Sequence, residues 1–184
     1  MYSILLNDRV IVKDENAHNL YNKRYYGNLT DSGLELSFIE SLFLLTKNKI
    51  EIYDDDKLIT KEDLTDIIRQ KHIFSHYLVY KDLRIRGYII KTGFKYGSDF
   101  RIYERGHAPG DGHSNFLVKI LSEEQEIKVR DFSSYVRVAH GVRKTLLLAV
   151  VDDEYDITYY DIEWTKPWKN NILKWIGSVI NWIW

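Results

Sequence analysis

Short apolar runs separated by polar turns make up the first part of the chain. Two of these runs, 2–6 and 9–13, flank a polar dipeptide, and this pattern predicts a hairpin of two short β-strands. Ser37 stands three residues ahead of Glu40 at the start of a longer apolar run, which is the capping-box pattern that begins a helix. A similar polar group begins at Thr60, ahead of a second apolar stripe. These patterns predict a small α/β unit whose elements serve packing.

In the second half of the chain, apolar runs of strand length become the main pattern. Strands are predicted over 88–92, 100–105, 115–121, 145–152 and 157–164. Helices are predicted over 82–86 and over 131–143, where a polar residue opens the segment. Helices among several strands predict an α/β (α+β) unit with a mixed or antiparallel sheet. We therefore divide the chain into an N-terminal unit, 1–79, and a C-terminal unit, 80–167.

The remaining segment, 168–184, has four tryptophans among its seventeen residues. Drawn as a helix, it gathers its apolar side chains on one broad face, made of Trp168, Ile172, Trp175, Ile176, Val179, Ile180 and Ile183. At about 1.5 Å per residue this helix is too short to cross a bilayer, so we predict no stable membrane insertion. We expect the segment to pack against the body or a neighbouring subunit, with contact to a membrane surface or another partner as the alternative.

Composition and charge narrow the possible partners. Of the 184 residues 45% are hydrophobic, which is enough to build a packed core. The net charge is −1, yet residues 81–144 hold 13 Lys/Arg against 8 Asp/Glu. That excess of five positive charges fits contact with a polyanion, and ordinary surface charge is the alternative. The absence of cysteine excludes disulfides and thiolate metal sites, and without a leader-peptide pattern we expect a cytoplasmic protein.

Tyr103 is singled out by the strand in which it is predicted to lie. Because side chains alternate across a strand, Tyr103 shares a face with Arg101 and Arg105, away from the core residue Ile102. Neighbouring guanidinium groups make a tyrosine a better candidate for proton transfer than an isolated one. A Gly/Pro-rich loop then turns the chain back towards His113, which a hairpin would bring to the same end of the sheet.

His113 also has a purely structural interpretation. In that interpretation its side chain tethers the preceding loop through a hydrogen bond and takes no part in chemistry. His107 lies within the loop itself and is the weaker candidate for a catalytic histidine.

A basic helix face is predicted from Arg137, His140 and Lys144, which are spaced i, i+3 and i+7. Three basic groups on one face suit a phosphate, and a solvated face is the alternative. A tyrosine, histidines and a lysine, with no cysteine or acidic cluster nearby, suit acid–base chemistry on a phosphodiester whose nucleophile belongs to the substrate. The 2′-OH of RNA is such a nucleophile. His72 and His76 have metal-ligand spacing but no evident carboxylate partner, so we predict no metal site.

The second unit carries five linked motifs, at 80–88, 91–100, 103–106, 113–114 and 136–144, and the first unit carries Arg24-Tyr25-Tyr26-Gly27. Together they resemble the archaeal tRNA-splicing endonuclease family over nearly all of residues 1–167. The resemblance implies a nuclease-like C-terminal domain with a catalytic triad of Tyr103, His113 and Lys144. It also implies a cut that needs no metal or cofactor and that leaves a 2′,3′-cyclic phosphate and a 5′-OH. Tyr103 would take the proton of the 2′-OH, His113 would protonate the leaving 5′-oxygen, and Lys144 would stabilise the charge on the phosphorane.

The resemblance further implies a substrate and an assembly. The substrate would be precursor tRNA with introns bounded by a bulge-helix-bulge, contacted by Arg137 and His140. The resemblance to short members of the family implies a homotetramer in which an acidic loop of one subunit docks in a basic groove of another. The matching loop holds Asp152, Asp153, Glu154 and Asp156, and a plain solvated turn is its alternative interpretation. Two other functions stay open: a non-catalytic structural subunit of a heteromeric endonuclease, and a general RNA-binding module.

Overall fold

The computed structural model describes residues 1–104, 106–107, 109–110 and 114–166. The strands in these residues are β1 (Tyr2–Leu5), β2 (Val10–Val12), β3 (Asn28–Thr30), β4 (Gly33–Leu36), β5 (Glu51–Asp54), β6 (Lys57–Ile59), β7 (Ile89–Thr92), β8 (Phe100–Tyr103), β9 (Phe116–Ser122), β10 (Thr145–Val151) and β11 (Ile157–Ile162). The α-helices are α1 (Ala17–Arg24), α2 (Phe38–Thr46), α3 (Lys61–Gln70), α4 (Phe74–Ile85) and α5 (Val129–Gly141). The predicted α+β fold class is confirmed.

The N-terminal sheet has six strands in the order β3-β4-β2-β1-β5-β6. Strands β1 and β2 pair antiparallel with Ser3 opposite Val12, which confirms the predicted hairpin. On its other side β1 pairs parallel to β5, with Ser3 opposite Ile52. Ser3 and Ile52 are fully buried, so the centre of this sheet is covered on its core face.

The two helix starts predicted in the N-terminal unit are confirmed by their hydrogen bonds, whereas α5 begins at Val129, two residues before its predicted start, and has no side-chain cap. At α2 the hydroxyl oxygen of Ser37 accepts from the N–H of Glu40, and the Glu40 carboxylate accepts from the N–H of Ser37. Thr60 and Asp63 make the same reciprocal pair at the start of α3. These caps satisfy N–H groups that a helix leaves unpaired in its first turn, which is why sequence alone located them.

The patterns did not predict α1 or the first half of α4. Helix α1 buries Ala17 and Leu20 and has no side-chain cap at Asn16, so it carries little amphipathic signal. Helix α4 begins at Phe74, well before the predicted segment 82–86, and it too lacks a side-chain cap. It packs against α2, α3, β7 and β9 at once, so apolar residues occur all round it.

The C-terminal sheet has five strands in the order β11-β10-β9-β8-β7. Strands β9 and β10 are parallel and joined through α5, whereas the other neighbouring pairs are antiparallel. A parallel pair needs such a crossover because its strands run in the same direction. Helix α5 covers one face of the sheet through Val136 and Ala139, which pack on Leu117 and Leu146. The predicted mixed sheet packed by helices is confirmed.

The two units share one hydrophobic core. Buried residues of α2, α4 and both sheets belong to a single cluster, for example Leu42, Tyr80 and Ile102. The boundary predicted between residues 79 and 80 falls inside α4, so this helix belongs to both units. Pro167 and the predicted helix over 168–184 lie outside the described residues. None of the helices that the structure describes is long and apolar enough to cross a membrane.

Candidate active site at one end of the second sheet

Strand pairing gathers the ends of all five strands of the second sheet at one edge. Tyr103, the last residue of β8, lies opposite Ile89, the first residue of β7. Phe116, the first residue of β9, lies opposite Ile102 on one side and opposite Thr145, the first residue of β10, on the other. The candidates Tyr103 and Lys144 therefore come to the same edge of the sheet although they are distant in sequence.

Tyr103 is 4% exposed, and the preceding Ile102 is 1% exposed. The prediction that Tyr103 would lie away from the core is wrong, because both faces of β8 are covered. The predicted neighbour is present: the Arg101 guanidinium carbon lies 5.8 Å from the Tyr103 ring centre. Arg101 Nε is buried and has no hydrogen-bond partner among the described residues.

Lys144 reaches the site by a route that the helical spacing did not predict. Helix α5 ends at Gly141, and the N–H groups of Arg143 and Lys144 donate back to His140 and Ala139 at 3.0 and 2.9 Å. These are the two hydrogen bonds of a Schellman motif, with Arg143 in the left-handed conformation at φ 57°. Lys144 is therefore outside the helix, and the predicted single face shared with Arg137 is wrong.

The Lys144 side chain is anchored on the segment that leads into β9. Its Nζ donates a hydrogen bond of 2.5 Å to the carbonyl of Ser114, a residue that is 4% exposed. Nζ also lies 5.9 Å from the Tyr96 ring centre. Burial, and then the positive charge of Arg101, lower the pKa of Lys144 below its ordinary 10.5.

The segment that contains Ser114 is itself held by backbone hydrogen bonds to the neighbouring strands. Asn115 donates its N–H to the carbonyl of Ile102, and its own carbonyl accepts from the N–H of Thr145. Ser114 follows the predicted catalytic histidine directly in the sequence. His113 and Arg105 lie outside the described residues.

Arg137 and His140 remain on α5, and both are exposed. The His140 ring lies 4.8 Å from the ring of Trp164, centre to centre. Together with Arg143, these two rings and Lys144 line a pocket of about 310 Å³. Sequence reasoning assigned no role to Arg143 or Trp164. Trp164 could have been noticed in the sequence because it is the last residue of the strand predicted over 157–164.

Two histidines that had metal-ligand spacing lie in different elements. His72 follows the end of α3 in the left-handed conformation, and His76 is in α4. His76 lies 3.6 Å from the Asp99 carboxylate, which also pairs with Lys119 at 3.1 Å and accepts the N–H of Ile120 at 2.7 Å. No group of three or more potential metal ligands occurs in the part of the chain that the structure describes.

The acidic loop between β10 and β11 is a hydrogen-bonded turn. The Asp152 carboxylate accepts from the N–H of Asp156 at 2.9 Å, and Tyr155 adopts φ 68°. The Tyr155 ring packs on Phe74 of α4 with 5.3 Å between ring centres. Asp153, Glu154 and Asp156 are exposed at this turn, whereas Asp152 is half-buried.

Two sequence models of known domains match this chain. The N-terminal domain of the tRNA intron endonucleases matches residues 1–65, and the catalytic C-terminal domain of the same family matches residues 73–159. The chain belongs to the tRNA intron endonuclease family. The match to the catalytic domain shows that the chain is an RNA-cleaving enzyme of tRNA splicing.

Relatives named tRNA-splicing endonuclease support this assignment over most of the chain. One from Methanothermobacter thermautotrophicus is 50% identical over 151 residues, which cover 82% of this chain and 89% of the relative. One from Thermococcus gammatolerans is 46% identical over 165 residues, covering 88% and 96%. One from Methanococcus maripaludis is 41% identical, covering 88% and 93%. The predicted resemblance to an archaeal family is confirmed.

Proposed function

We propose that this tRNA intron endonuclease excises introns by an internal transesterification that uses no metal ion. The supporting observation is the convergence of Tyr103 and Lys144 at one edge of the second sheet, on either side of the strand that follows His113. The strands that carry these residues belong to the hydrogen-bonded sheet, so their spacing is held by the fold.

The reaction joins the 2′-oxygen to the phosphorus and releases the 5′-oxygen. Tyr103 takes the proton of the 2′-OH as that oxygen attacks. His113 donates a proton to the departing 5′-oxygen, and the products are a 2′,3′-cyclic phosphate and a 5′-OH. Lys144 supplies positive charge where the phosphorane oxygens gain negative charge. The half-buried position of Lys144 supports this role, because water screens a half-buried charge less.

The proposed substrate is precursor tRNA with introns bounded by a bulge-helix-bulge. Arg137 and His140 are exposed near the active-site edge, which suits contact with an unstacked base or a phosphate. The pocket beside Trp164 adds an aromatic face and the guanidinium of Arg143.

We also propose that the enzyme acts as a cytoplasmic homotetramer. Asp152, Asp153, Glu154 and Asp156 would dock in a basic groove of a neighbouring subunit. The turn supports this role because its backbone is fixed by hydrogen bonds and by the packing of Tyr155 on Phe74. Three of its carboxylates are exposed and available to a partner.

The test is cleavage of an intron-bearing precursor tRNA by the purified chain in EDTA, with analysis of the RNA ends. We expect paired cuts at the exon–intron junctions that leave cyclic phosphates. Cleavage that needs a divalent ion, or ends carrying a 5′-phosphate, would refute the mechanism. Absence of cleavage would favour the structural-subunit alternative.

His113 is tested in the same assay. His113→Ala is expected to lower the cleavage rate by about 10²–10⁴-fold while binding of precursor tRNA is kept, because the variant lacks the general acid. Loss of binding together with cleavage would indicate the purely structural role instead.

A further inference from the structure

One strongly exposed aromatic side chain lies beside the candidate active site. Phe94 is 86% exposed, the largest fraction among the large apolar side chains that the structure describes. It begins a single turn of 3-10 helix, Phe94–Tyr96, between β7 and β8. We call this segment the aromatic turn. A single exposed apolar residue is ordinary in proteins, so its mounting and its neighbours decide whether it has a function.

The aromatic turn is held by hydrogen bonds at its base. The carbonyl of Gly93 accepts from the N–H of Tyr96 at 2.8 Å and from the hydroxyl of Ser98 at 3.2 Å. The N–H of Gly93 donates to the carbonyl of Asp99 at 3.1 Å. The Phe94 ring is therefore presented to solvent from a fixed backbone. A ligand that contacts a fixed backbone loses less binding free energy to ordering of the protein.

The second ring of the aromatic turn faces the candidate active site. Tyr96 packs against the apolar cluster beneath α5, which includes Leu117 and Leu146. Its ring centre lies 5.9 Å from Nζ of Lys144. Phe94 precedes Tyr96 by two residues, which is about 4 Å along a 3-10 helix. The exposed ring is therefore close to the position assigned to the reacting phosphate.

The charges around the aromatic turn fit RNA. Lys95, the residue next to Phe94, is exposed. The nearest carboxylate along the chain, Asp99, is paired with Lys119 at 3.1 Å. An aromatic face beside a cation is the combination that stacks bases and holds phosphates in single-stranded RNA sites. A protein partner would require a wider apolar patch than one ring.

We propose that Phe94 stacks on an unpaired base of the RNA substrate next to the scissile phosphate. This inference rests on the proposed function, because it takes Lys144 as the neighbour of that phosphate. Phe94 is a positioning residue: the stack holds the strand in register and supplies no group to the chemical step. Every base has a π-face, so the stack adds affinity without selecting a base type.

Three substitutions separate the ring from its apolar surface. Phe94→Ala removes the side chain, Phe94→Leu keeps an apolar side chain without a ring, and Phe94→Trp keeps an aromatic face. Tyr2→Ala is the control, because it removes a 49% exposed ring in the N-terminal unit. Each variant is first compared with the wild type by thermal unfolding and by molar mass in solution. A changed molar mass for Phe94→Ala and Phe94→Leu would place the ring in a subunit interface and overturn the proposal.

The readout is the dissociation constant in EDTA for an RNA with one exon–intron junction. Its cleavage-site nucleotide is 2′-deoxy and so lacks the proposed nucleophile. We expect Phe94→Ala and Phe94→Leu to bind about tenfold more weakly than the wild type, and Phe94→Trp and Tyr2→Ala to bind as the wild type does.

Companion RNAs identify the stacked base. Each lacks one base, as an abasic site, at one unpaired nucleotide beside the scissile phosphate. At one position the missing base should weaken binding to the wild type by the same factor as Phe94→Ala. Binding to Phe94→Ala should weaken no further there, because both changes remove the same stack.

The proposal is overturned if the effects of Phe94→Ala and of the missing base add at every unpaired position. Binding by Phe94→Ala equal to that of Tyr2→Ala would also overturn it. The cleavage mechanism is tested separately, by cutting of unmodified precursor tRNA in EDTA. A wild type that does not cut would refute the mechanism and leave the binding comparison intact, whereas additive binding effects would refute the stack alone.

Discussion

Replacing Lys144 with methionine tests the central claim about the site. Methionine keeps most of the apolar stem and removes the ammonium group. In the structure that group donates to the Ser114 carbonyl and lies 5.9 Å from the Tyr96 ring centre. The stem contacts should persist, so the variant isolates the loss of charge.

The expected magnitude follows from the role assigned to the charge. A donor that stabilises developing negative charge contributes about 10²–10³ to the rate, which is roughly 2.7–4 kcal/mol. A hydrogen bond from a charged group contributes at most about 3 kcal/mol to folding, and burial of the ammonium group offsets part of that. Lys144→Met should therefore lose more transition-state stabilisation than folding free energy.

The assay is single-turnover cleavage of precursor tRNA, with binding measured separately. We expect a rate at least 100-fold below that of the wild type, with affinity changed by less than about threefold, because the charge acts in the transition state. Lys81→Met, at an exposed position on α4, is the matched control and should be unaffected. A rate within tenfold of the wild type would refute the role of Lys144, as would an equal loss of affinity.

The pH dependence gives an independent check. The pKa of Lys144 is lowered from 10.5, first by burial and then by Arg101, so its ammonium group loses its proton below pH 10.5. Because the charged form is the active one, the wild-type rate should fall as pH rises through that lowered pKa. Lys144→Met has no ammonium group to lose, and its residual rate should lack this fall. If the cleavage rate of Lys144→Met falls with rising pH as the wild-type rate does, then that fall is caused by another titrating group.

Two further changes test the charges around the site. Arg101→Met should move the alkaline fall of the rate to higher pH, because it removes a positive charge that lowers the pKa of Lys144. Asp99→Asn should lower the free energy of unfolding by about 2 kcal/mol, since Lys119 loses its carboxylate partner at 3.1 Å. Burial acts to raise the pKa of Asp99, but the nearby His76, the hydrogen bond from the N–H of Ile120 and the charge of Lys119 outweigh it and hold the pKa below 3.8. The stabilisation is therefore present above about pH 4 and is lost as pH falls through the lower pKa of the folded state.

Each change has a matched control. Arg101→Lys keeps the positive charge, so the pH at which the cleavage rate falls on the alkaline side should stay close to that of the wild type. Asp66→Asn removes an exposed carboxylate and should change the free energy of urea unfolding by less than about 0.5 kcal/mol. A stability difference for Asp99→Asn that does not shrink as the pH falls below about 4 would contradict the proposed pairing. For Arg101→Met, an unchanged pH of the alkaline fall in rate would contradict the role given to Arg101.

Local signals along the chain were sufficient for much of the fold. The capping boxes at Ser37 and Thr60 located two helix starts because their hydrogen bonds join residues three apart. Apolar runs located β9 and β10 because most of their residues are buried. Helix α4 was largely missed, since packing on several sides removes the periodic contrast between apolar and polar faces.

The candidate site could also be predicted in part from local features of the sequence. Tyr103 and Lys144 could be chosen by residue type, by neighbours in sequence and by resemblance to a family. The spacing argument for Lys144 failed because α5 ends at Gly141, and a left-handed Arg143 redirects the chain. Burial of Tyr103 also could not be read from one strand, because it depends on what covers the other face of the sheet.

By itself, the sequence determined most of the element types, the mixed α+β class and the chemical groups available for cutting RNA. Tertiary structure decided which of those groups meet. Strand register places Tyr103 opposite Ile89 and ties the start of β10 to the start of β9. The fold also decided that α1, α2 and α4 end around one pocket, which is lined by Lys23, Arg24, Lys47, Lys49 and Arg84. Such contacts join residues far apart in the chain, and their geometry follows from the packing of whole elements, which no local pattern encodes.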